Sequence, residues 1–110
     1  ESDLAAQMAK NMIMPAVLSY QGGLAETIKA VETSNKGKVT ETRKILKEVT
    51  DLTETAWEQI VKLEKASPGG VAEKIKSAME ELRETIDTLE GYVPAETWPL
   101  PSYAEMLFLS

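Results

Sequence analysis

The sequence predicts an all-α protein, an elongated antiparallel three-helix bundle, and three observations carry that prediction. Apolar residues recur at spacings of three and four along most of the 110 residues. Clusters of Gly, Pro, Ser and Asn interrupt the pattern at two well-separated places. No alternation of apolar and polar residues competes, the nearest β-like run being the very short Leu107-Phe108-Leu109.

The first helix is expected over residues 3–33, where Leu4, Met8 and Met12, then Leu24, Ile28 and Val31, form the repeating stripe. Pro15 has no N–H and clashes with the carbonyl four residues back, which predicts a kink at residues 10–14. Gly22-Gly23 costs about 1 kcal/mol per Gly relative to Ala, so the pair either ends the helix or marks its weak point. We read the helix as continuous and kinked. The run Thr33-Ser34-Asn35-Lys36-Gly37 is the first turn.

Residues 38–66 follow a heptad pattern, with Val39, Leu46, Thr53 and Ile60 at one core position and Thr42, Val49, Ala56 and Leu63 at the other. Several of these are Thr or Ala, so the helix must add burial from Ile45, Leu52 and Trp57. Ser67-Pro68-Gly69-Gly70 supplies a capping hydroxyl, a first-turn proline and reversal. The third helix, residues 71–90, carries Ile75, Met79, Leu82, Ile86 and Leu89 on one stripe, with Gly91 as the expected left-handed stop. At 1.5 Å per residue these helices would span roughly 45, 42 and 30 Å, and short connections make neighbours antiparallel.

The last twenty residues differ in kind. From Tyr92 to Phe108 lie four of the six aromatic residues and three of the five prolines. Pro99 and Pro101 push Trp98 and Leu100 into extended backbone, and Ser102 with Glu105 matches a capping box that would open a short terminal helical turn. The expected organisation is therefore a bundle over residues 1–97 and a docking tail over residues 98–110. A start at Glu1, with no Met and no leader pattern, reads as a piece of a longer protein.

Composition excludes several chemistries. The chain has no Cys and no His, which removes disulfides, thiol nucleophiles, imidazole bases and the usual zinc ligands. A net charge of −6 opposes binding to nucleic acid. No segment is long and apolar enough to span a membrane, and the lack of Cys is compatible with a cytoplasmic setting.

Four features could carry function. Glu80, Glu84 and Asp87 share a helical face and could gather around a divalent cation, although a solvated acidic face is the more ordinary reading. Lys36, Lys38, Arg43, Lys44 and Lys47 concentrate positive charge near the start of the second helix, with Glu41–Lys44 and Lys44–Glu48 pairs as the local account. Met8 and Met12 suit ordinary packing, whereas Met14 lies off their stripe beside Pro15 and is the better interface candidate. In the tail, Trp98, Leu100, Tyr103, Leu107 and Phe108 offer enough apolar surface to hold a terminal segment against its entropy, either on this bundle or on another body.

At Trp98-Pro99-Leu100-Pro101-Ser102-Tyr103-Ala104-Glu105-Met106-Leu107-Phe108 the chain resembles the C-terminal end of type III glutamine synthetases, which finish on Trp-Pro-Leu-Pro, a Tyr, an acidic residue and a Leu-Phe pair. The block Met12-Ile13-Met14-Pro15-Ala16-Val17-Leu18-Ser19-Tyr20-Gln21 is similar to the start of that family's C-terminal helical region. Ser19 and Ala104 stand where the family often has a basic residue.

The resemblance implies an oligomeric parent enzyme of nitrogen metabolism, using magnesium and ATP to join ammonia to glutamate through a γ-glutamyl phosphate. Its catalytic domain would precede this segment, which itself would carry no catalytic, metal or cofactor residue. The partners implied are that upstream domain and neighbouring subunits. The docking candidates are then Met14, Pro15, Tyr20, Trp98, Pro99, Leu100, Pro101, Tyr103, Met106, Leu107 and Phe108. A stand-alone helical adaptor is the alternative, and a carboxylate-based enzyme a third reading.

Overall fold

The computed structural model describes residues 2–34, 37–66 and 69–94. Within them are helices α1 (Ser2–Met8), α2 (Met14–Ser34), α3 (Thr40–Ala66) and α4 (Ala72–Glu90), with a π-helical turn at Ala9–Ile13 joining α1 to α2 without a break. The result is an all-α bundle of three rods measuring 55 × 23 × 17 Å. Cross-helix pairs establish the directions. Lys10 pairs with Glu64, Gln21 with Thr50 and Glu32 with Arg43, so numbers rise along the first rod as they fall along α3. Glu81 pairs with Lys62 and Tyr92 with Glu48, which makes α4 antiparallel to α3 as well. The expected tail and its terminal turn lie outside the described residues, as does the Ser67-Pro68 cap.

The kink expected beside Pro15 takes the form of the π-turn. Proline cannot donate to a carbonyl in the turn before it, so the ladder slips by one residue and the Met14 N–H donates to the Ala9 oxygen, five residues back. That slip also corrects the stripe expected for the first half of the helix. Leu4 is 59% and Met12 40% exposed, while Ala5, Ala6, Ala9, Ile13, Met14 and Val17 are buried. A constant period of 3.6 cannot be carried across a turn that holds an extra residue, and so the face predicted from Leu4 onward rotates away from the core. Further on, Ile28 is buried and Leu24 and Val31 are half-buried, in agreement with the stripe. Gly22-Gly23 does not end the helix; both glycines sit within α2.

Small residues set how closely the first rod approaches. Ala5, Ala6 and Ala9 face the region where α1 packs on α3 and also touches α4, and those helices present Ala56 and Ala78 to the same core. Interaxial distance follows the size of the side chains at the crossing, so alanines let three rods share one narrow core.

The heptad of α3 is observed almost as predicted. Val39, Val49, Thr53, Ala56, Ile60 and Leu63 are buried, Thr42 and Leu46 half-buried, and Ile45, Leu52 and Trp57 pack at the edges. Thr53 is buried because its hydroxyl donates 2.6 Å to the Val49 carbonyl, leaving only a methyl to face the core. On α4, Leu82, Ile86 and Leu89 are buried, together with Ala78 and Thr85.

The loop into α4 turns at Gly69, whose φ of 77° suits glycine. Gly70 comes next, and a Cβ there would collide with the Ala66 carbonyl oxygen. Gly91 is not the left-handed stop expected of it: its backbone is right-handed, at φ −69° and ψ −22°. The helix tightens instead, with Gly91 N–H bonding the Thr88 oxygen and Tyr92 N–H the Leu89 oxygen. Pro94 then supplies the stop, since it has no N–H and disfavours helical backbone at Val93.

The packing has two measurable consequences. Ala9→Leu should lower stability by about 1–3 kcal/mol, because no space exists at the crossing for a larger side chain; a denaturant midpoint equal to that of the parent would refute close packing there. Gln59 lies on the flank of α3 nearest α4, and its Oε1 is buried without a hydrogen-bond partner. Gln59→Met removes that orphan oxygen at similar volume, and should raise stability by about 1 kcal/mol, some 4–8 °C in Tm.

Candidate functional site

Two surfaces remain once the rods are packed. The first is the side of the first rod and α3 that faces away from α4. The pairs Lys10–Glu64, Gln21–Thr50 and Arg43–Glu32 run along it, and the same register sets Leu18 across from Trp57, with Val61 one turn further along α3. Leu18 is 45% and Val61 43% exposed, and Trp57 is half-buried. Toward the ends of α2 and α3 this face holds an open depression of about 260 Å³, lined by Ala25, Ile28, Lys29, Glu32, Arg43 and Leu46. Its volume is below the ~300–1,000 Å³ typical of small-molecule pockets, and Glu32 and Arg43 already satisfy each other across it.

The second surface lies on the α4 side. Because Tyr92 stands opposite Glu48, α4 stops short of the first turns of α3. About eight residues of α3, roughly 12 Å of helix, precede Glu48. Leu24 and Val31 of α2 and Ile45 of α3 are half-buried, and Gly37 lies close to Val31.

The residues singled out from the sequence fall unevenly on these surfaces. Pro15 is exposed and Tyr20 is half-buried against the core. Met14 is fully buried within the bundle, so its thioether is not an exposed docking group; the π-turn before it rotates it inward. Leu18 and Val61 escape a reading by periodicity, since a lone apolar residue off a core stripe carries no periodic signal. Trp98, Pro99, Leu100, Pro101, Tyr103, Met106, Leu107 and Phe108 lie outside the described residues.

Parts of both charged clusters form ion pairs, and Lys36 lies outside the described residues. Glu80, Glu84 and Asp87 are not gathered: Asp87 lies 3.8 Å from Arg83, and no group of three acidic residues is placed to hold a metal among the described residues. In the basic run, Lys44 pairs with Glu41 at 3.4 Å as expected, and Lys47 with Asp51 at 3.4 Å. Glu48 does not supply Lys44's other pair; it accepts the hydrogen bond of the Tyr92 hydroxyl. No described helix is long and apolar enough to cross a membrane.

The Tyr92–Glu48 bond makes stability depend on pH in a defined direction. Donation to Glu48, together with desolvation and the carboxylate's charge, raises the phenol above its usual value of about 10. The neutral phenol makes the bond, so its contribution is complete below about pH 10 and disappears as pH rises through the raised folded-state value. Thermal melts of the parent and Tyr92→Phe should therefore differ at pH 8 and converge only as pH rises past that raised value. A difference that holds constant to high pH would show that the bond is not made.

Comparison with known proteins gives one informative similarity. The chain is 29% identical over 125 aligned residues to a glutamine synthetase of Bacteroides fragilis, in an alignment covering 98% of this chain and 17% of that protein. No family model matches the chain, and no solved structure matches it significantly. This helical bundle is thus similar, almost from end to end, to about one sixth of a glutamine synthetase.

Proposed function

We propose that this chain is the C-terminal helical domain of a type III glutamine synthetase, with a structural role in assembly and no catalysis of its own. The observation that carries the reading is the similarity to a glutamine synthetase running through 98% of the chain. The Trp98-Pro99-Leu100-Pro101 block and the Met14-Pro15 block at opposite ends, in family order, support the type and the C-terminal position. The parent reaction is the ATP- and magnesium-dependent ligation of ammonia to glutamate in the cytoplasm. Its catalytic residues, magnesium and nucleotide belong to a preceding domain. Here the side chains do other work: Leu18, Trp57 and Val61 form an apolar strip between ion pairs, suited to a neighbouring subunit or to the catalytic domain.

The stand-alone adaptor reading draws on the same strip, which could receive a partner helix. One experiment separates the two. The full-length protein should form glutamine from glutamate, ammonia and ATP, and Leu18→Glu with Val61→Glu should reduce its assembled mass in solution while helicity is retained. Glutamine formation with an unchanged mass would refute the assembly role; a full-length protein without ligase activity would refute the enzyme reading and favour the adaptor.

A further inference from the structure

We infer that the outward face of the first rod is a contact surface for a second copy of this chain, the two rods packing antiparallel about Leu18. The inference shares Leu18 with the apolar strip above but does not rest on the ligase reading.

Charge is spread unevenly over the bundle. Between Lys10 and Glu26 lie fifteen consecutive residues without a charge, whereas no uncharged run in α3 or α4 exceeds three residues. That stretch is not hidden within the bundle: Asn11, Pro15, Leu18, Ser19, Gly22 and Gly23 are exposed. A helix whose outer side meets water ordinarily carries its charged residues there, as α3 and α4 do. In the first rod the inner side is packed in the core and the outer side is uncharged, which is the composition of a helix covered on both sides.

The two glycines fit the same surface. Both lie inside α2 with open space where a Cβ would stand, so no neighbour in the described chain requires them. Each costs helix stability relative to an ordinary residue. What glycine offers in return is close approach by another body.

The charges at the two ends select that body. Leu18 lies midway between Lys10 and Glu26. A two-fold axis at Leu18 therefore sets each Lys10 opposite Glu26 of the other copy, and brings Pro15 level with the gap at Gly22. A parallel pair would instead oppose Lys10 to Lys10 and Glu26 to Glu26. Glu26 has no ion-pair partner among the described residues, and Lys10 is half-exposed beside Glu64 with donors to spare. The contact is roughly 24 Å long and about 10 Å wide. That is well under the ~800 Å² per partner of a standard stable interface, so the pair is weak and depends on concentration.

Sedimentation equilibrium of the 110-residue chain is the test. The mass should rise from 12.1 kDa toward twice that value as concentration increases from about 10 µM to about 1 mM. Gly22→Arg should shift this rise to concentrations about tenfold higher without lowering Tm, since glycine is the poorer helix former and the position is open. Lys10→Glu and Glu26→Lys should each weaken pairing about tenfold with helicity unchanged, because each puts like charges together at both ends of the pair. Mixed together, these two variants should pair as tightly as the parent, since both ends of the mixed pair again join unlike charges. A mass of 12.1 kDa throughout, association untouched by Gly22→Arg, or a mixture that pairs no better than its separate variants would overturn the proposal. None of these outcomes bears on whether the full-length protein makes glutamine, so the two readings fail separately.

Discussion

One missing hydrogen-bond donor governs the architecture. Pro15 cannot bond the turn before it, and the backbone answers by passing the Ala9 carbonyl to Met14 and inserting a π-turn. A sharp break would have split the first rod into two short helices. Because the extra residue is absorbed within the helix, the rod stays continuous from Ser2 to Ser34, and its inner face is rephased. That rephasing brings Ala5, Ala6 and Ala9 to the three-rod crossing and turns Ile13, Met14 and Val17 inward behind them. The close crossing and the burial of Ile60, Leu63, Leu82, Ile86 and Leu89 depend on that phase.

α3 is the element against which everything else is placed. The first rod runs along one flank, α4 along the other, and the row from Val49 to Leu63 serves both. Its core is modest in side-chain volume, with Thr53 and Ala56 among larger neighbours, so stability comes from tight approach rather than bulk. The scarcity of aromatic residues in the bundle fits the same plan. Large rings would hold the rods apart.

The parts of the structure legible in the sequence are those with a constant period. The heptads of α3 locate its buried residues because the helix is regular from Thr40 to Ala66, and Leu82, Ile86 and Leu89 are legible on α4 for the same reason. Periodicity fails where the geometry changes. It points Met12 inward and Met14 outward, and the structure reverses both, because the proline beside them alters the number of residues per turn. Gly91 invites a left-handed stop by residue type, but Pro94 supplies a stronger reason to end the helix. The candidate surfaces are the least visible. Leu18 and Val61 acquire meaning only when the register sets them beside Trp57.

The ion pairs between rods contribute little energy, being exposed, yet with the half-buried Gln21–Thr50 bond they constrain sliding. Heptads of similar apolar character can pair again after a shift of seven residues, at small loss of contact. A slip of the first rod by one heptad would part Lys10 from Glu64 and Gln21 from Thr50. It would separate Arg43 from Glu32 at the same time. These polar pairs act as a vernier: each alone is weak, but only one alignment satisfies them all. A bundle whose core is smooth and small thereby keeps a single register.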